Sequence, residues 1–135
     1  MEGVQANEQQ PEHQTIVRIE SIRFGDEDDR PDSVKLNVVE VVGEYAGTPL
    51  GFWCNMKNKD GMLSPAMKLY QALEGGHGNG WTKKFGSLET AIEALRGKYL
   101  AGTSVPKDTT KGGVGNNLKD GSIRAVPEDF EEPAA

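Results

Sequence analysis

Polar and apolar residues alternate through the first part of the chain, and the period then lengthens to that of a helix. "TIVRIESIRF" (15–24) is rich in β-branched residues and predicts a first strand. "VKLNVVEVV" (34–42) predicts a second, with Val34, Leu36 and Val38 on one face. "LGFWCNM" (50–56) predicts a third, with Leu50, Phe52, Cys54 and Met56 on one side and Trp53 and Asn55 on the other. The short "GEYAGTP" connection makes the second and third strands a hairpin. After the "KDG" turn at 59–61 the spacing becomes helical: Met67, Leu69, Tyr70 and Leu73 fall on one stripe. Ser64 suits the N-cap, Pro65 the first helical position and Gly75 a left-handed stop. A glycine-rich bridge (75–86) leads to Ser87, a second N-cap, and to the stripe Leu88, Ala91, Ile92 and Leu95, ended by Gly97. "KYLAGTSV" (98–105) and "LKDGSIRAV" (118–126) predict two last strands.

The order is therefore βββ-α-α-ββ: a mainly β domain with a helical insertion. It is the order of a five-stranded oligonucleotide-binding (OB) barrel, in which alternate residues of each strand fill the interior. A generic α+β sandwich is the alternative. Residues 1–14 lack apolar periodicity and are expected to be a disordered arm, 15–126 the barrel domain, and 127–135 an acidic tail.

Composition limits the function. The 135 residues and 36% hydrophobic content suit one core. No apolar run reaches the length of a membrane span, and the acidic, polar start has no secretory pattern. The single Cys54 leaves no partner for an internal disulfide and no cysteine cluster for zinc. A net charge of −6 argues at first against nucleic acid, but the charge is unevenly placed. Residues 1–34 hold three basic and nine acidic groups, residues 35–126 hold twelve and eight, and residues 127–135 hold none and four. A mildly basic middle between acidic ends is the informative feature.

Catalytic chemistry finds little support. "VPKDTTKGGVGNN" (105–117) is rich in glycine and lysine, yet its lysines precede the glycines and a strand follows where a phosphate-binding loop needs a helix. It reads as a flexible hairpin loop, or as the loop between the last two barrel strands, whose Lys107 and Lys111 would reach phosphates. His13 and His77 stand far apart, "GDEDDRPD" lacks the glycine and glutamate of a calcium loop, and Cys54 on an apolar strand face reads as a small core residue. No catalytic residue, metal ligand or cofactor is assigned.

The aromatic residues carry more. Sequence-tolerant binding of single strands uses exposed rings for stacking beside a cationic path for the backbone. Alternation puts Trp53 on the outer face, where it either stacks bases or packs beneath a helix. "WTKKFG" (81–86) interleaves Trp81 and Phe85 with Lys83 and Lys84, and its rings either stack bases or anchor the loop. Tyr45, in the hairpin, is a weaker candidate for stacking.

"GTPLGFWCNM", "DGMLSPAMKLYQAL", "LETAIEALRGKYLAGTSV" and "VGNNLKDGSIRAVPED" together resemble small phage-encoded single-stranded-DNA-binding proteins. The matching residues are Gly47, Gly51, Leu95, Gly97 and Lys98, then Asn116, Asn117 and Ile123. The resemblance implies an OB-type fold and single-stranded DNA as partner. It further implies a role in phage replication or recombination, in the cytoplasm of a bacterial host. On this reading Trp53 and Trp81 stack bases, and Lys57, Lys83, Lys84, Lys107, Lys111 and Arg124 neutralise phosphates. The tail residues Glu128, Asp129, Phe130, Glu131 and Glu132 are similar to the acidic tails that recruit replication and repair enzymes. Here, though, Phe130 is followed by "EEPAA" rather than standing last. The tail is also expected to compete with DNA for the basic groove. Self-association into a homo-oligomer is left open. The rival expectation is a small acidic phage protein that binds or inhibits another protein, as a DNA mimic or adaptor.

Overall fold

The computed structural model describes residues 9–25, 32–107 and 115–133. Strand β1 (His13–Phe24) pairs antiparallel with β2 (Ser33–Glu40) along its second half and with β5 (Tyr99–Pro106) along its first. A register shift between Ile19 and Ser21 lets one strand serve both neighbours, because a bulge bends and twists the strand that carries it. The third barrel strand is broken into β3 (Pro49–Leu50) and β4 (Trp53–Asn55), both antiparallel to β2. Strand β6 (Asn116–Leu118) returns antiparallel to β5.

The break in the third strand is where the sheet closes. Gly51 N–H donates to the Asn116 carbonyl at 3.0 Å, and Leu118 N–H donates to the Gly51 carbonyl at 3.2 Å, forming a parallel bridge between Gly51 and Asn117. Phe52 keeps the link to β2, its carbonyl accepting from Leu36 N–H at 3.0 Å. With β3 and β4 counted as one strand, the result is a nearly closed, five-stranded OB-like barrel with a helical insertion between its third and fourth strands.

Alternation holds as the sequence predicts: Leu50, Phe52, Cys54 and Met56 are all buried, with Val34, Leu36 and Val38 opposite them. The helical insertion adds Leu69, Ala72, Leu73, Ala91, Ile92 and Leu95 to the same core. Burial pushes the Cys54 thiol up to about 12, which keeps it protonated and inert at neutral pH.

Several boundaries differ from expectation. His13 and Gln14 belong to β1, because they pair with Ser104 and Thr103 of β5. Helix α1 spans Lys68–His77, not 65–74, since Met67 is extended and residues 64–67 close a separate turn from Met67 N–H to the Ser64 carbonyl. It then runs through Gly75 and Gly76 to a left-handed Gly78. Those two glycines serve close packing: a β-carbon would stand 2.8 Å from Leu100 Cδ2 at Gly75 and 2.5 Å from Leu95 Cδ2 at Gly76. Helix α2 (Leu88–Glu93) starts as expected, Ser87 Oγ accepting from Thr90 N–H at 3.1 Å. Finally, the expected strand 118–126 gives way after Leu118 to a turn at Asp120 and left-handed Gly121; Lys119 N–H still donates to the Thr103 carbonyl at 2.8 Å, and ladder pairing with β5 resumes at the Ala101–Arg124 bridge.

The start of β1 and the end of β2 hold a polar pair of which one member is buried. Glu40 is 1% exposed and meets His13 Nε2 at 2.6 Å, while His13 Nδ1 lies 2.7 Å from the Pro11 carbonyl. Both partners are acceptors, so only the doubly protonated ring satisfies both contacts. Burial alone would lower the His13 pKa, but the Pro11 carbonyl and the Glu40 carboxylate outweigh it, and the net shift is upward. The stability gained from this pair is therefore complete below the ordinary histidine value of about 6.5 and lost as pH rises through the raised value of His13. We expect the thermal midpoint to decline over that range. His13→Gln should flatten this part of the profile, and an unchanged profile would count against the pair.

Candidate nucleic-acid interface

Strand pairing decides which outward side chains become neighbours. Lys35 lies between buried Val34 and Leu36 and so points out of the barrel; the β2–β4 register sets it directly opposite Trp53. Its Nζ stands 6.0 Å from the centre of the Trp53 indole, a cation–π contact that pre-sets the ring on the outer face. Trp53 is half-buried while its neighbours Phe52 and Cys54 are 1% and 2% exposed, which is the outward placement alternation predicts.

Closure of the barrel brings β6 and the end of β5 to the other side of this ring. The result is a groove of ≈ 410 Å³ lined by Lys35, Gly51, Phe52, Trp53, Lys68, Val105, Lys107, Asn117, Leu118, Lys119 and Asp120. Gly51 has a specific place in it. A β-carbon there would stand 2.4 Å from Asn117 Oδ1, 3.1 Å from Lys107 Cε and 3.3 Å from Lys107 Nζ. The bare glycine lets Lys107 lie across the seam where the barrel closes.

Among the described residues, four ammonium groups, those of Lys35, Lys68, Lys107 and Lys119, thus face a single carboxylate, Asp120. Among the described residues none of the four is in an ion pair. Lys68 Nζ lies 5.8 Å from the centre of the Phe52 ring at the floor of the groove. Lys107 is held from behind, its carbonyl accepting from Gln9 Nε2 at 2.8 Å and its N–H donating to the Gly115 carbonyl at 3.0 Å. A cationic channel with an aromatic wall and unpaired donors is suited to a phosphate backbone with bases turned toward the ring.

Of the residues singled out from the sequence, the groove gathers Trp53 and Lys107. Trp81 is elsewhere: it opens a 3-10 turn (Trp81–Lys83), is 7% exposed, and meets Tyr70 edge-on with ring centres 5.7 Å apart. Its indole belongs to the core and has no face to offer a base, because the bridge folds back onto α1 and does not project from it. Lys83 ends that turn and Lys84 follows it; both are exposed, Lys84 Nζ donating to the His77 carbonyl at 2.8 Å. Lys57 pairs with Asp32 at 3.1 Å. Arg124 reaches Gln14 Oε1 at 3.2 Å and lines a separate cleft with Ala101 and Val126. None of these four lines the groove. Lys111 lies outside the described residues.

The tail is not in the groove either. Phe130 packs edge-on against Tyr99 with ring centres 5.0 Å apart, and Glu132 meets Arg18 and the Tyr99 hydroxyl. The expected competition with DNA for the same lysines is therefore absent from this conformation. Glu128, Asp129 and Glu131 are exposed. Tyr45 tilts onto His13 with ring centres 4.5 Å apart, at the far end of the hairpin.

The sequence analysis assigns Lys35, Lys68 and Lys119 no role, whereas Gly51 and Asn117 enter it through the resemblance alone. Lys35 was within reach, since alternation turns it outward and the hairpin places it beside Trp53. Lys68 and Lys119 carry no local signal, because their place in the groove follows from barrel closure. Among the described residues there is no group of three or more His, Cys, Asp or Glu side chains that could hold a metal ion, and no helix long and apolar enough to cross a membrane. Comparison with protein-family models, curated proteins and solved structures gives no match.

Proposed function

We propose that the protein binds single-stranded DNA in the groove between β2, the β3–β4 strand and β6, coating it without regard to sequence and without chemistry. One observation carries the reading: Lys35, Lys68, Lys107 and Lys119, none of them in an ion pair among the described residues, surround an outward Trp53 on the wall of an OB-like barrel. Lysine ammoniums recognise phosphates as point charges, and an indole face stacks on any base, so the set favours binding tolerant of sequence. A duplex hides the base faces that Trp53 would need. A role in phage replication or recombination, in the cytoplasm of a bacterial host, is the setting that the sequence resemblance implies for such an activity.

Salt dependence tests the reading. Three or four neutralised phosphates give a log–log slope of roughly −2 to −3 for a single strand, so affinity for oligo-dT should fall about 20- to 50-fold between 50 and 200 mM salt. Tryptophan fluorescence should be quenched by oligo-dT and far less by duplex of the same length. Flat salt dependence, equal quenching by both, or no binding would reject it in favour of a protein-binding role.

A further inference from the structure

Arg18 and Tyr99 are register partners on the outer faces of β1 and β5, half-buried side by side, away from the lysine groove. The chain returns to them. After the Arg124 bridge, Pro127 accepts from Phe130 N–H at 3.0 Å, and this turn sets the Phe130 ring against Tyr99. Two residues on, Glu132 binds Arg18 Nη1 and accepts from the Tyr99 hydroxyl at 3.3 Å. Arg18 Nη2 is fixed by Glu20 at 2.6 Å, so the guanidinium is held in plane with one edge turned to Glu132. Beyond this contact lies a cleft of ≈ 440 Å³ along Val39 and Val41, bordered by Glu132 and Pro133.

We infer that this face of β1 and β5 is a docking surface for a short acidic segment with an aromatic residue two positions before a carboxylate, and that the chain's own tail is its resident ligand. Each part of the segment has its own partner: the ring meets Tyr99, and the carboxylate meets a guanidinium that Glu20 has already oriented. A docked tail withholds Phe130 and Glu132 from other proteins, and a free tail leaves the surface open. The surface shares no residue with the groove, so it stands or falls separately from DNA binding.

The test uses the full chain and a synthetic peptide of residues 125–133, followed by amide chemical shifts at Arg18 and Tyr99. A chain carrying Phe130→Ala and Glu132→Gln should bind the peptide saturably. The unaltered chain should bind it about tenfold more weakly or worse, because its own tail competes at an effective concentration in the millimolar range. Adding Arg18→Gln to the tail-disabled chain, or replacing the peptide's phenylalanine with alanine, should weaken binding at least about fivefold. Tyr99→Phe, which removes only the hydroxyl, should weaken it less and serves if Arg18→Gln disturbs the fold. Equal binding by the unaltered and tail-disabled chains, no shifts with either, or shifts indifferent to Arg18 and Tyr99 would overturn the inference.

Discussion

Trp81→Ala is expected to lower folding stability by about 3–5 kcal/mol, the cost of removing a large aromatic side chain from a packed core. The ring is 7% exposed and sits among Tyr70 and the helical insertion, which cannot collapse into the gap without moving α1. α1 in turn is fixed by Gly75 and Gly76, which meet Leu100 and Leu95 with no room for a β-carbon. Denaturant melts followed by circular dichroism would measure the loss, and a thermal midpoint roughly 10 °C lower would accompany it. Trp81→Phe should cost much less. It keeps a ring against Tyr70 and removes an indole N–H that is buried without a partner among the described residues. At temperatures where the alanine variant is folded, its affinity for oligo-dT should match that of the parent chain. An unchanged midpoint together with lost DNA binding would return Trp81 to the role of a stacking residue.

Trp53→Ala should do the opposite. Loss of one base–aromatic stack costs about 1–3 kcal/mol, or roughly 5- to 150-fold in affinity for a single strand. Stability should change far less than for Trp81→Ala, because the half-buried ring lies on the outer face over Lys35 and outside the core cluster. Fluorescence quenching should vanish as well, since the remaining Trp81 is in the core. The salt slope should stay close to that of the parent, because no phosphate contact is removed. Replacing Lys35, Lys107 and Lys119 together with glutamine should show the reverse: a shallower slope with quenching retained at saturation. If Trp53→Ala bound oligo-dT as tightly as the parent, the groove would lose its claim to be the site.

The two tryptophans show where local pattern suffices. Trp53 was legible because alternation in a strand is a two-residue rule, and Phe52 and Cys54 flank it on the buried side. Trp81 was not, because it lies in a glycine-rich bridge with no period to say which way a ring points. The same limit applies to Gly75: its composition reads as a helix stop, while its distance to Leu100 shows it to be a packing site. The turn at Asp120–Gly121 had the same sequence signal as the "KDG" turn at 59–61, but the apolar residues around it favoured a continuous strand.

By itself the sequence determined the order of elements, the inward and outward faces of the second and third strands, the Ser87 cap and the mildly basic middle of the chain. These depend on spacing between near neighbours, which is fixed by backbone geometry. Only the tertiary structure decided which lysines share a groove and where the tail lies. Lys35, Lys68, Lys107 and Lys119 meet because β6 closes onto Gly51, and Phe130 meets Tyr99 because the chain turns back after Arg124. Both are contacts between residues distant in sequence, and their cause is the closing of one barrel, which no local spacing records.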